Sequence, residues 1–155
     1  MKGAIAGAVA TWVLGQVTTL VYERERSDAR EREERVRAGV SAYERAAEKV
    51  ASQADVSLSD SARQRAGSAI HWATGITAGA LYAVARKRWY PVARTGGLPF
   101  GAGFFLAIDE VMNPVLGLTP GPAVFPWQAH ARGLAGHLAF GATTELVLTG
   151  LDRVA

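Results

Sequence analysis

Cysteine is absent from all 155 residues. That excludes disulfides, thiolate metal sites and cysteine nucleophiles, but it does not fix the compartment. Catalytic spacing is missing too. There is no nucleophile elbow, no phosphate-binding loop, no HExxH-like metal spacing and no paired-carboxylate arrangement. The chain makes no case for an enzyme, and it calls for no cofactor and no metal. Stacking aromatics and nucleic-acid motifs are also lacking, and the net charge is only +3. The basic group Arg86, Lys87, Arg88 and Arg94 therefore reads as a membrane flank, with no nucleic acid as partner. Charge itself is scarce outside residues 23–65 and 86–94.

What is there is a set of long uncharged stretches. Residues 3–22 carry no charge over 20 positions, the length needed to cross about 30 Å of hydrocarbon. Only Lys2 precedes the run, and it ends in Tyr22-Glu23-Arg24 without a small-residue cleavage site, so it reads as a retained helix and not a signal peptide. A second span is predicted over about 68–88, its apolar part reaching residue 85, with Trp89-Tyr90-Pro91 ending it at the interface. A third covers 97–117, and Pro114 should stop or kink it. The proline-rich stretch 118–128 is a rigid, non-helical connection, and 133–151 form the fourth span.

Residues 23–66 form a charged, largely helical connection. Glu31–Arg35 and Glu33–Arg37 have the spacing of helix-stabilising ion pairs, which predicts a solvated helix, with a disordered linker as the alternative. Tyr43, Ala46, Ala47 and Val50 recur at helical spacing, so the second half should lie on something, and Gly39 can interrupt the run. Ser57 with Asp60 has capping-box spacing for the next helix, and Ser59 or Asp60 could serve instead. Whether this segment extends the first span into water or folds back is left open. The expected fold class is thus all-α: an integral membrane bundle of four transmembrane helices, one domain, with a long charged helical segment between the first and second spans.

Small or polar residues recur at every fourth position of each span. The rows are Gly3, Gly7, Thr11, Gly15; Gly67, His71, Gly75, Gly79, Ala83; Gly97, Gly101, Phe105, Asp109, Asn113, Gly117; and Gly133, His137, Gly141, Glu145, Thr149. Residues four apart share a helix face, drifting about 40° per step. Glycine there lets backbones approach closely, which is how helices associate in lipid. A soluble helix would lose about 1 kcal/mol at each glycine relative to alanine. Gly7, Gly15, Gly75, Gly79, Gly101 and Gly141 are accordingly expected to pack helices.

The same rows place His71, Asp109, Asn113, His137 and Glu145 inside the bundle. Glu110, about 100° from Asp109, is expected to face elsewhere or the interface. An ionised group at the bilayer centre costs about 3 kcal/mol on insertion scales, so these side chains should be paired, neutral or hydrated. Two readings follow: an interhelical polar network that holds register, or a working site, either a proton or ion path or a His/carboxylate metal site, for which the signal is weak because the ligands lie on three helices. His137 and Glu145 lie about 12 Å apart along the helix, too far to share one metal ion.

These residues also resemble those of the YagU-like family of uncharacterised bacterial inner-membrane proteins. The resemblance covers roughly 67–151. It rests on His71 with Gly75, Gly79 and Tyr82; on Gly97 and Gly101 ahead of Asp109-Glu110; on Pro114 before Gly117-Leu118-Thr119-Pro120; on Pro126-Trp127; and on Gly136-His137 ahead of Glu145. It implies a multi-pass inner-membrane protein and no activity, cofactor or catalytic residue. The charged stretch 23–66 departs from it.

Four spans put both termini on one side. The basic loop 86–94 and the resemblance put that side in the cytoplasm, while ten Lys and Arg between 24 and 65 pull the other way. The functional expectation is a non-enzymatic structural or accessory subunit, packing through glycine-rich faces in a homo-oligomer or a larger membrane complex. A small proton- or ion-coupled transporter using the intramembrane His, Asp and Glu residues is the alternative. The partners expected are the lipid bilayer and other membrane subunits or a second copy.

Overall fold

A computed structural model describes residues 1–89 and 93–154. The fold is all-α, with no strand among the described residues. The helices are α1 (Lys2–Arg24), α2 (Ser27–Arg37), α3 (Ala42–Ser52), α4 (Asp60–Arg88), α5 (Leu98–Phe105) and α6 (Trp127–Arg153). Beyond α5 the chain continues through π-helical turns, Leu106–Met112, and one α-turn, Asn113–Val115. A 3-10 turn at Pro122–Val124 lies in the proline-rich connection. Tyr90 and Pro91, expected at the end of α4, lie outside the described residues.

α1 is the spine. It packs against α4 on one side and α6 on the other, α5 lies on α6, and α3 lies on α4. α4 and α6 meet mainly through long side chains, Tyr82 and Arg86 of α4 reaching Glu145 and Asp152 of α6. The reason for the close packing is the small-residue rows. A Cβ on Gly7 would meet Gly75 O and lie 2.9 Å from Ile76 Cα, and one on Gly79 would meet Gly7 Cα and lie 2.7 Å from Gly3 O. On the other side, a Cβ on Gly101 would meet His137 O, and Gly97 and Gly141 meet backbone to backbone. Gly15 differs from its row, because nothing lies within 4 Å of the Cβ it lacks. Phe105, the large residue in its row, sits over Gly133, whose Cβ would come 2.7 Å from the Phe105 ring.

The interior is consequently made of Ala6, Ala10, Ala78 and threonines, with Tyr82, Phe140 and Leu148 as its large members. Phe105 and Leu118 are buried too, but many large apolar side chains point outward: Leu81 is 64% exposed, Val84 68% and Leu146 72%. One helix, Lys2–Arg24, is long and apolar enough by itself to cross a membrane. α4 and α6 are longer than it, but charged residues and histidine dilute their apolar content.

The charged connection is not one solvated helix. It breaks at Ala38 and Gly39, both left-handed (φ 53° and 71°), into the hairpin α2–α3. Glycine takes that conformation at no steric cost. A capping box starts α3: the Glu44 N–H donates to Ser41 Oγ, and the Ser41 N–H donates to Glu44 Oε2. Both expected pairs form, Arg37–Glu33 at 2.6 Å and Arg35–Glu31 at 4.0 Å. Yet Ala29, Glu33, Ala42 and Ala47 are buried, because the hairpin folds back as a cap over the end of the bundle. α4 is capped by Ser59, whose Oγ accepts from the Ala62 N–H, and not by Ser57.

Pro114 does end the third helix, and it also widens it. In an α-helix its ring would clash with the carbonyl of residue 110 and it could not donate. The π-helical turns remove that conflict, and the Asn113 N–H reaches Ile108 O, five residues back.

Candidate functional site

Two adjoining chambers lie beneath the cap, of about 330 Å³ and 260 Å³. Arg37, Tyr43, His71, Asp109 and Ala129 line both. The cap supplies Arg37, Ser41 and Tyr43, α4 supplies His71, the π-helical turns supply Asp109 and Glu110, and α6 supplies His130 and His137.

Five of the six sequence-predicted polar residues, His71, Asp109, Glu110, Asn113 and His137, line these chambers. His137 Nδ1 lies 3.8 Å from Asp109 Oδ2 and 2.9 Å from Gly133 O. The ring therefore donates to the Gly133 carbonyl, which leaves Nε2 as the acceptor in the neutral form. His71 meets the Tyr43 ring edge-on at 4.8 Å and faces the chambers half-buried. Asp109 takes no hydrogen bond from any described residue; its side chain is a third exposed, into the cavity. Burial pushes the Tyr43 phenol above its usual range, and the Asp109 charge adds to the shift, so the hydroxyl stays a neutral donor.

Glu110 does not head for the interface. The widened helix turns it to α6, where it meets His130 Nδ1 at 2.6 Å, while His130 Nε2 is 3.1 Å from Pro122 O. Both partners are oxygens, and which ring nitrogen donates depends on the tautomer. Asn113 is buried in the wall of the outer chamber. Among the described residues no three His, Asp or Glu side chains are grouped to hold a metal ion.

Glu145 belongs to a separate network at the opposite end. It accepts from Tyr82 Oη at 2.7 Å and from Thr149 Oγ1 at 2.9 Å, and lies 3.0 Å from Arg86. Arg86 continues to Asp152, which Lys2 also binds. Between the two polar regions stand Phe100, Phe104 and Phe140, in contact with one another. The six predicted polar residues thus form two sites separated by an aromatic plug.

Over the chambers, Arg132 ties the cap to the bundle. Its guanidinium donates to Glu25 at 2.6 Å and to both oxygens of Glu33, and it lies over the Tyr22 ring at 4.9 Å. Arg132 and His130 are absent from the sequence-predicted set. Arg132 carried a signal, as the lone Lys or Arg between 118 and 151. His130 carried a weaker one, seven residues before His137 and so on the same face. Nothing in the alternating run marks Glu33 out from its neighbours.

Glu33 gives the cap a pH dependence. Burial by itself would raise its pKa, but hydrogen bonds from Arg132 and Arg37 together with their charge hold it below the ordinary value of 4.5. The stabilisation is therefore complete above about pH 4.5 and is lost as pH falls through the lowered native value. Thermal unfolding in detergent should be flat in this respect from pH 7 to 5 and then drop. In Glu33→Gln the drop should shrink; an unchanged drop would mean that another group carries it.

No curated protein and no solved structure matches the chain. A family does. Its sequence model covers residues 43–146, from the cap residue Tyr43 through both chambers to just past Glu145, and the chain belongs to that family, described as proteins of unknown function (DUF1440).

Proposed function

We propose that this is a four-span protein of the bacterial inner membrane, YagU-like in its ordered motifs, whose capped cavity loads and releases a proton or small ion. The observation that carries the reading is the Asp109 carboxylate, which lacks a hydrogen-bond donor and faces His137, His71 and Tyr43 in a cavity. A strut would be bonded. Groups that exchange protons need a free lone pair and access.

The inverted packing supports the membrane setting. Small and polar residues lie inside and Leu81, Val84 and Leu146 outside, which would form large apolar patches in water but suits lipid. For orientation, Lys2, Arg86, Lys87, Arg88 and Arg153 gather where only Asp152 and Glu145 oppose them. That basic group favours cytoplasmic termini with the cap outside, against the pull of the cap's own Lys and Arg, since a long connection can translocate despite its charge. Glu145 with Tyr82 and Arg86 then forms a second polar station past the plug, about 12 Å further along α6.

The test is proton flux in proteoliposomes under an imposed pH gradient. Asp109→Asn should slow it by about tenfold or more, and His137→Ala should slow it measurably, as loss of a proton-transfer group does. Unchanged flux in both variants would end the reading.

The accessory-subunit reading retains one observation in its favour. An apolar groove between α4 and α5, walled by Ala73, Thr77, Gly103 and Ala107, stays open. Most of the predicted packing glycines, however, already meet partners within the chain. Native mass measurement after mild extraction separates the two: a strict monomer would remove the second.

A further inference from the structure

We infer that the cavity binds a small organic cation, a protonated amine, with its ammonium group on Asp109. This deepens the reading above and rests on it. The first argument is the charge ledger of the walls. From the cap, Arg37 is committed to Glu33 at 2.6 Å and lies over the Phe125 ring. Arg132 is held by Glu25 and Glu33. From the π-helical turns and α6, Glu110 and His130 hold each other. An anion entering this space would find both arginines occupied. A cation finds one carboxylate that takes no hydrogen bond from a described residue, Asp109, which lies 3.8 Å from His137 Nδ1.

The second argument is the acceptor set. An ammonium group has N–H donors only and needs acceptors converging on it. Asp109, the Tyr43 hydroxyl and the neutral nitrogens of His71 supply them, and none of the three makes a hydrogen bond to a described residue. The third is the rings. Tyr43, Phe104, Phe105, Phe125 and Phe140 line the chambers. Aromatic faces attract organic cations and give their alkyl parts an apolar wall. A bare metal ion would gain nothing from them, and no three-ligand group is present for one among the described residues. Each chamber, at about 330 or 260 Å³, sits at the small end of the range for small-molecule sites.

Titration calorimetry on the full chain in detergent tests this with n-butylammonium, n-butanol and butyrate as probes. The ammonium should bind saturably at one per chain, and the alcohol and the carboxylate should not. Asp109→Asn should weaken it by roughly tenfold to a hundredfold, the worth of a hydrogen bond to a charged group. Asp109→Glu should keep much of the affinity, which guards against a variant that simply misfolds. The charge preference of the native chain needs no variant at all. Ammonium binding no tighter than butanol, or binding untouched in Asp109→Asn, overturns the inference. Proton flux without amine binding overturns the inference and leaves the reading above intact. Amine binding without flux upholds the inference and removes proton transport.

Discussion

Arg132→Ala is expected to destabilise the chain by about 3–5 kcal/mol and to free the cap from the bundle, since removing one partner of a buried ion pair leaves the other charge uncompensated. Here two charges are left, because Arg132 neutralises both Glu25 and Glu33, and all three side chains are under 10% exposed. One Glu25 oxygen is already buried without a partner, so the site has no spare donor to redirect. Arg37 still reaches Glu33 at 2.6 Å, which keeps the loss from being larger. The readout is twofold. The unfolding midpoint in detergent should fall by roughly 2–4 °C per kcal/mol for a chain of this size. Limited trypsin digestion should begin to cut at the α2 arginines while the bundle stays whole. A variant that melts lower but shows no new cleavage in the cap would place the effect of Arg132 elsewhere.

Gly97→Ala should be the most damaging glycine substitution. Gly97 starts α5 at φ 78°, in the left-handed region. Alanine there costs about 1–2 kcal/mol in backbone strain. The added methyl group would also run into the carbonyl of Gly141 on α6, and overpacking adds about 1–3 kcal/mol. The neighbouring Gly96, at φ 61° with nothing within 4 Å, isolates the strain alone and should lose only that part. Gly15→Ala has neither problem and should gain up to about 1 kcal/mol from helix propensity. A series in which the three alanine variants move the midpoint equally would refute this division.

The glycines also show how far a linear reading reaches. Spacing by four identifies which residues share a face, because helix geometry is local. That sufficed for Gly7, Gly75, Gly79, Gly101 and Gly141, all of which meet a neighbouring helix. Gly15 fits the same spacing, but at this level α1 meets α6 through Leu14 and Thr18 against Gly136, and nothing lies within 4 Å of the Cβ that Gly15 lacks. Which face a neighbour takes at each level belongs to the packing of helix pairs and leaves no trace in one strand of text. Asp109 and His137 illustrate the same limit from the other side. Each was legible as a buried polar residue, but that they share a chamber depends on α5 running antiparallel to α6.

Glu110, left open between another face and the interface, takes another face for a local reason with a tertiary outcome. A 100° step assumes an α-helix, and Pro114 forces wider turns over Leu106–Met112 that bring Glu110 to His130. The sign was present as proline at 114, but its effect upstream is a choice between a kink and a π-bulge that packing makes. Glu145 drops out of the central cluster because two turns of α6 and three phenylalanines intervene.

By itself the amino-acid sequence determined the helical class, the ion pairs Glu31–Arg35 and Glu33–Arg37, and the faces that carry glycine and polar groups, while α6 starts at Trp127, six residues before the expected span. All of these rest on interactions within one or two turns. Only the tertiary structure decided that the charged segment folds back as a cap, that Arg132 holds it there, and that the polar residues divide into a chamber and a distant network. Those outcomes depend on contacts between residues 99 to 107 apart in the chain, such as Arg132 with Glu33 and Glu25. Alternating acids and bases specify that charges will pair, but local spacing cannot say with which distant partner.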